Sequence, residues 1–181
     1  MTLSYQLNEN DFLQHQLFVA SQSASLKKRR KSSLVVLIFC FVMLSLLFYL
    51  IDENLLAILM LLLAPVTFFF FPSFQGKQLH KAYKRSINEN YKNRFGKQVQ
   101  VGFTDDAIVY HDSNSEVKIL LTTISKIIEL QDLFIIQMST GGGLIMPKQQ
   151  LEDVVGVRQL LQEVSQKLSV PFVQEFSWKW K

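Results

Sequence analysis

The hydrophobic positions are concentrated in two stretches that contain no charged side chain. Residues 34–51 read LVVLIFCFVMLSLLFYLI, and residues 55–71 read LLAILMLLLAPVTFFFF. Only Asp52, Glu53 and Asn54 separate them. At 1.5 Å per residue, each stretch extends roughly 26–27 Å as a helix, which is enough to cross the core of a bilayer. The pattern predicts a transmembrane hairpin over residues 34–71.

Other interpretations of these stretches are weaker. A signal peptide would place its apolar core near the N-terminus, followed by small residues at a cleavage site, and no such site follows here. A buried hairpin of a small soluble domain would be exceptional with so few polar groups. An in-plane or re-entrant hairpin is the main rival, because the segments are short and Pro65 interrupts the second and is expected to kink it.

Basic residues predict the orientation of the hairpin. The turn between the spans carries two acids and no base, whereas both flanks are basic. By the positive-inside rule, both flanks and both termini are cytoplasmic. We call the expected membrane-surface residues the basic collar, and its members are Lys27, Lys28, Arg29, Arg30, Lys31, Lys77, Lys81, Lys84 and Arg85.

The segments that flank the hairpin show short strand and helix patterns. Leu3, Tyr5 and Leu7 alternate with polar residues, which predicts a strand. Residues 8–11 offer a helix N-cap, and apolar positions at helical spacing follow. This helix is expected to continue into the first span, with its apolar face packed on the C-terminal domain or, alternatively, lying on the membrane surface. After Pro72, residues 74–95 predict a basic juxtamembrane helix with Gly96 as its C-cap.

From residue 98 onward the apolar period changes from that of a helix to that of strands. Six short strands are predicted, separated by polar turns at residues 104–106, 111–115, 131–132 and 141–143. A final amphipathic helix carries Leu151, Val154, Leu161 and Val164, and it should end near Ser169, before Pro171.

Strands followed by one helix predict an α+β fold. We expect a two-helix transmembrane hairpin plus a small antiparallel sheet or barrel, capped by a C-terminal helix as in pleckstrin-homology-like domains. The chain is therefore predicted to contain five segments. Residues 1–33 form a strand and an amphipathic helix with a basic cluster, residues 34–71 form the hairpin, and residues 72–97 form a basic juxtamembrane helix. Residues 98–170 form a pleckstrin-homology-like domain, and residues 171–181 form an aromatic tail.

Composition and charge support this division of the chain into a membrane hairpin and a folded domain. Mean hydropathy is +0.17 and net charge is +4, with an isoelectric point of about 9.2. The positive charge lies beside the membrane, because residues 98–181 carry seven bases and ten acids. The basic isoelectric point therefore does not indicate a nucleic-acid partner. The collar either fixes the topology alone or also binds anionic lipid headgroups.

Several segments of the chain share features with one known family. They are LNENDFLQHQLFVASQSASLKKRRK, the hairpin, KQLHKAYKRSINENYKNRFGK, and the short motifs at residues 103–106, 123–127 and 145–148. Through these features the chain resembles the YcxB-like family of bacterial two-span membrane proteins. The resemblance implies a bacterial inner-membrane protein with a cytoplasmic pleckstrin-homology-like domain. It implies no catalytic residues and no defined activity.

No catalytic or metal-binding pattern emerges from the polar residues. His15, His80 and His111 lie in separate segments without metal-ligand spacing. Cys40 lies inside the first span, where a thiolate is disfavoured. The Gly141–Gly143 run lacks the lysine of a phosphate loop, and Asp105 with Asp106 is typical of a turn. We expect no enzyme activity, cofactor or metal.

The aromatic tail adds a last feature. Phe176, Trp178 and Trp180 share one face of an extended segment, which favours either an edge strand, a membrane-interface anchor built on Trp178 and Trp180, or a peptide bound by a partner. The sequence predicts a non-enzymatic membrane protein that presents its cytoplasmic domain to a protein partner, a second copy or anionic lipid. The alternative is an immunity protein that protects the membrane or envelope against a toxin.

Overall fold

The computed structural model describes residues 1–112 and 115–180 and divides the chain into two compact units. Met1–His15 and Lys84–Lys179 form what we call the sheet unit. Gln16–Tyr83 and Trp180 belong to what we call the hairpin unit. Ser113 and Asn114 of the predicted turn at 111–115, and Lys181 of the predicted tail, lie outside the described residues.

Helices dominate the first half of the chain, after strand β1 at Thr2–Gln6. Helix α1 spans Glu9–Gln22, α2 spans Ala24–Leu50 and α3 spans Asn54–Asn90. The predicted N-cap of α1 is confirmed, because the Asn8 and Asp11 side chains each accept a hydrogen bond from the other's backbone N–H, at 2.9 and 3.0 Å.

Two helix boundaries differ from the prediction. The first helix does not run into the span, because Ser23 adopts an extended backbone and its hydroxyl accepts from Leu26 N–H at 3.3 Å, which starts α2. The helix after the second span is not separate, because α3 continues through both Pro65 and Pro72. It ends at Asn90 rather than Phe95, so the prediction that Gly96 is its C-cap is wrong, although Gly96 does adopt a left-handed conformation, with φ of +68°.

The hairpin unit contains two helices long and apolar enough to cross a membrane. Within the most apolar window of α2 no residue is buried, and within that of α3 the buried share is 11%. A core helix of a soluble protein would bury most of these side chains. Ser45 Oγ on α2 donates to the Ala57 carbonyl on α3 at 2.8 Å, which links the two helices.

In the described part of the sheet unit, eight strands form two four-stranded sheets. The first has the order β1-β2-β3-β4 and the second the order β7-β6-β5-β8. The bounds are β2 Gln98–Phe103, β3 Ala107–His111, β4 Glu116–Leu120, β5 Ile124–Leu130, β6 Leu133–Met138, β7 Gly143–Pro147 and β8 Phe172–Glu175.

The α+β class is confirmed, but the described strands form no closed barrel. Closing a meander would require β4 to pair with β5. Instead β8, from the predicted aromatic tail, pairs in parallel with β5 along Ile127–Phe172 to Leu130–Glu175 and occupies that edge. A short 3-10 turn at Leu121–Thr123 takes the chain from one sheet to the other.

The predicted C-terminal helix is α4, Val154–Leu168. Asp153 caps its start by accepting from Gly156 N–H at 2.8 Å, and Ser169 ends it in the left-handed conformation. Val157, Leu161 and Val164 are buried, and α4 contacts β5 and β8 of the second sheet.

Candidate functional site

The hairpin unit has a cleft at the level where both apolar segments meet their basic flanks. Its volume is about 630 Å³. Arg30 contributes from α2, just before the apolar segment that begins at residue 34. The remaining lining residues are Pro72, Ser73, Gly76, Lys77 and His80 of α3, together with Trp180.

Trp180 closes one side of this cleft. Its Nε1–H donates a 2.9 Å hydrogen bond to the Gly76 carbonyl oxygen, and Gly76 itself is buried. Because glycine has no side chain, an indole ring can approach the helix backbone closely here. Tryptophan combines an apolar ring with one N–H donor, a combination enriched where membrane meets water.

Arg30 lies against both the ring and the helix. Its Cζ is 5.7 Å from the centroid of the Trp180 ring, and its Nη2 donates to the Pro72 carbonyl at 3.2 Å. A guanidinium carries its positive charge on a planar group with five N–H donors. The contacts hold the positive charge in a defined position on the cleft wall.

The charge of the cleft is positive. Arg30 and Lys77 are cationic, His80 adds an imidazole, and no acid is among the lining residues that the structure describes. Arginine suits phosphate because its planar donors match the spacing of two phosphate oxygens, and lysine adds a point charge. The arrangement can therefore hold a phosphate or similar anion beside an aromatic wall.

The structure brings together only part of the predicted collar. Arg30, Lys77 and Trp180 line the cleft. Lys28 and Arg29 line a different groove along α2, with a volume of about 680 Å³, where they are followed by Ser32, Ser33, Val36, Leu37 and Cys40. Lys27, Lys31 and Lys81 are exposed and line neither space.

Two predicted collar residues and one predicted anchor lie in the sheet unit. Lys84 lies 3.7 Å from Glu9, and Arg85 lies 2.8 Å from Glu89, so acids of the same unit offset their charge. Trp178 is half-buried, and its backbone N–H donates to the Glu175 carbonyl at 3.2 Å. Trp178 is not among the described residues that line the cleft.

Sequence reasoning missed Ser73, Gly76 and His80. A signal was present, because residues 73, 76, 77 and 80 recur at three- and four-residue spacing and therefore lie on one face of a helix.

The sheet unit contains a second polar cluster, centred on the fully buried Glu129. Its carboxylate accepts hydrogen bonds from Arg158 at 2.7 Å, Lys148 at 2.8 Å and Gln174 at 2.9 Å. Burial alone would raise the pKa of Glu129, but these hydrogen bonds outweigh it, so its pKa lies below the ordinary value. A carboxylate held by three donors is a poor general base, so the cluster serves to join β5, α4 and β8.

The described residues offer no metal centre. No group of three or more His, Cys, Asp or Glu side chains in residues 1–112 and 115–180 could hold a metal ion. Cys40 is exposed on α2, within the apolar segment.

The fold and the cleft define an α+β protein with two candidate membrane helices and a basic membrane flank. A family model described as YcxB-like protein matches residues 103–161, from the end of β2 into α4. The predicted YcxB-like resemblance is confirmed over that part of the chain. No curated protein and no solved structure matched the chain.

Proposed function

We propose that this chain is a non-enzymatic integral protein of the bacterial cytoplasmic membrane whose basic collar binds anionic phospholipid headgroups. The hairpin anchors the chain, and the sheet unit, with its pleckstrin-homology-like order of elements, lies in the cytoplasm and is presented to a protein partner. The cleft formed by Arg30, Lys77, His80 and Trp180 is the observation that carries the proposal.

Three properties of the cleft support a lipid headgroup as its ligand. It lies at the end of both apolar segments, where phospholipid phosphates are found. Its two permanent charges are positive, and each base near an anionic leaflet contributes about 1 kcal/mol. Its aromatic wall is a tryptophan, the residue type that concentrates at membrane interfaces.

The two tryptophans allow a direct test, because Trp178→Phe leaves Trp180 as the sole tryptophan. The full chain carrying this substitution is reconstituted in vesicles that contain phosphatidylglycerol and phosphatidylcholine in equal amounts. In one set of vesicles the phosphatidylglycerol is brominated near the headgroup, and in the other set the phosphatidylcholine is. We expect brominated phosphatidylglycerol to quench Trp180 more strongly than brominated phosphatidylcholine. Equal quenching by the two lipids would overturn the proposal.

A matched pair of substitutions assigns the preference to the cleft. Lys77→Gln removes a charge from the lining, and we expect it to reduce the preference for the anionic lipid by about half or more. Lys81→Gln removes a charge one turn further along α3, outside the cleft, and should leave the preference unchanged. Equal loss in both variants would point to a general surface charge rather than a site.

The alternative role as an immunity protein stays a prediction. Co-expression with the product of a neighbouring toxin gene, with cell survival as the readout, would check it.

A further inference from the structure

Among the described residues, strand β4 is an edge of the first sheet, paired with β3 on one side only. The hydrogen bonds that flank this pair join Asp112 N–H to the Ser115 carbonyl, and Leu121 N–H to the Asp106 carbonyl. In an antiparallel pair, hydrogen-bonded and non-bonded residues alternate. It follows that Val117 and Ile119 bond to β3, and that the N–H and C=O groups of Glu116, Lys118 and Leu120 point away from it.

The side chains of β4 are also open to solvent. Val117 is 46% exposed and Leu120 is 49% exposed, although both are apolar residues of a strand. Glu116 and Lys118 are exposed as well. An edge with apolar side chains and outward backbone groups is a template for adding another strand.

The charges of β4 match those of a second β4 in antiparallel orientation. Backbone polarity allows only registers in which Glu116, Lys118 and Leu120 meet one another across the two strands. One register pairs Glu116 with the second copy's Lys118 on both sides of a two-fold axis at Val117. The other registers place Glu116 against Glu116, Lys118 against Lys118, or Lys118 against Leu120. Opposite charges stabilise a cross-strand pair and like charges destabilise it, so the first register is favoured.

Existing contacts of these charges do not oppose this pairing. Lys118 Nζ lies 3.5 Å from Asp106, and Glu116 lies 3.9 Å from His111. All four side chains are more than half exposed, and exposed pairs of this kind contribute little to stability. A lysine on an edge strand usually discourages pairing, but in this register each lysine faces a glutamate.

We infer that β4 is a self-association surface, at which two copies of this chain pair their β4 strands in antiparallel orientation about an axis at Val117. Anchoring in one membrane raises the effective concentration of the copies, so a short strand can suffice. The inference does not depend on lipid binding by the collar, because β4 and the cleft share no residue.

Cysteine cross-linking tests the register. Cys40 is the single cysteine, so Cys40→Ser gives a full-length background without thiols. In this background Val117→Cys places two thiols across the axis in a non-hydrogen-bonded pair, where the Cα atoms are about 4.5 Å apart and a disulfide can form. We expect oxidation in membranes to give a disulfide-linked dimer on a non-reducing gel.

Leu120→Cys is the matched control, since its exposure is nearly the same. In the proposed register the two Leu120 Cα atoms are roughly 20 Å apart, so no disulfide dimer should form. Equal cross-linking of the Val117→Cys and Leu120→Cys variants would overturn the proposal. Stronger cross-linking at Lys118→Cys or Ile119→Cys than at Val117→Cys would also overturn it, because these positions lie on the axes of other registers.

A charge exchange supplies an independent test in the Val117→Cys chain. Glu116→Lys should lower the cross-linked fraction roughly fivefold or more, because two like-charge pairs then face each other. Combining Glu116→Lys with Lys118→Glu should restore it. Failure of the single substitution to lower cross-linking, or of the double substitution to restore it, would also overturn the proposal.

Discussion

The indole N–H of Trp180 donates a 2.9 Å hydrogen bond to the backbone carbonyl of Gly76, in the interior of α3. The Arg30 guanidinium lies over the same ring at 5.7 Å. A residue near the end of an eleven-residue aromatic tail, residues 171–181, thus has a specific backbone partner on a candidate membrane helix. This contact makes Trp180 a reporter for the state of the cleft.

Removing the Arg30 guanidinium should expose the Trp180 ring. In a Trp178→Phe chain, we expect Arg30→Gln to increase acrylamide quenching of Trp180 fluorescence roughly twofold, because the cation that covers the ring is lost. The measurement is a Stern–Volmer slope in lipid vesicles. Lys31→Gln is the control, since Lys31 is exposed and lines no part of the cleft. An unchanged slope for Arg30→Gln would show that the guanidinium does not cover the ring.

Local sequence patterns were sufficient for the hairpin and most elements of the sheet unit. The uncharged stretches at 34–51 and 55–71 lie in α2 and α3, and Gly141 and Gly142 adopt the positive φ that a tight turn requires. These features depend on neighbouring residues, so periodicity and turn chemistry reveal them.

Features that depend on distant residues were not predictable in the same way. The pairing of β8 with β5 joins Phe172 to Ile127, and it blocks barrel closure, yet nothing in either segment specifies the other. Glu129 is a charged residue within a strand, and its burial depends on Arg158 and Gln174 from other elements. Trp180 lies in the cleft because it donates a hydrogen bond to Gly76, and these two residues are too far apart in sequence for a periodic pattern to indicate the contact.

The buried Glu129 cluster should contribute strongly to stability. Glu129→Gln leaves Arg158 and Lys148 without their carboxylate, and we expect a loss of about 3–5 kcal/mol in the free energy of unfolding. Chemical or thermal unfolding in detergent, followed by circular dichroism, would measure it.

The exposed pair of Arg85 and Glu89 is the control for this cluster. Its distance is also 2.8 Å, but its side chains are 82% and 59% exposed. Glu89→Gln should therefore leave the free energy of unfolding nearly unchanged. A Glu129→Gln chain as stable as Glu89→Gln would contradict the structural role of the cluster.

Acid should destabilise the sheet unit through His15. This side chain is 7% exposed, and burial lowers its pKa to about 4. An unfolded histidine titrates near 6.5, so between about pH 6.5 and 4 the unfolded chain binds the extra proton. The free energy of unfolding is therefore highest above this window, and it falls by up to about 3 kcal/mol as the pH is lowered through the window.

His15→Gln should flatten this dependence, measured as the free energy of unfolding at several pH values. His111→Gln is the control, because the His111 side chain is 58% exposed. Burial raises the pKa of Asp11, and this changes the free energy of unfolding with pH in the opposite direction. The effect of His15 is therefore the difference in pH dependence between the His15→Gln and unsubstituted chains. An identical slope in both chains would contradict the prediction.

Gly143 should be intolerant of a side chain, in contrast to Gly102 in another strand. A Cβ at residue 143 would lie 3.1 Å from His15 Nε2 and 3.1 Å from the Ile136 carbonyl oxygen, and the second of these is backbone that cannot move aside easily. We expect Gly143→Ala to lower the free energy of unfolding by about 1–3 kcal/mol. A Cβ at Gly102 would meet no atom within 4 Å, so Gly102→Ala should be neutral or slightly stabilising. Thermal unfolding of the two variants side by side provides the measurement, and equal shifts in Tm would show that the close approach at residue 143 does not determine the outcome.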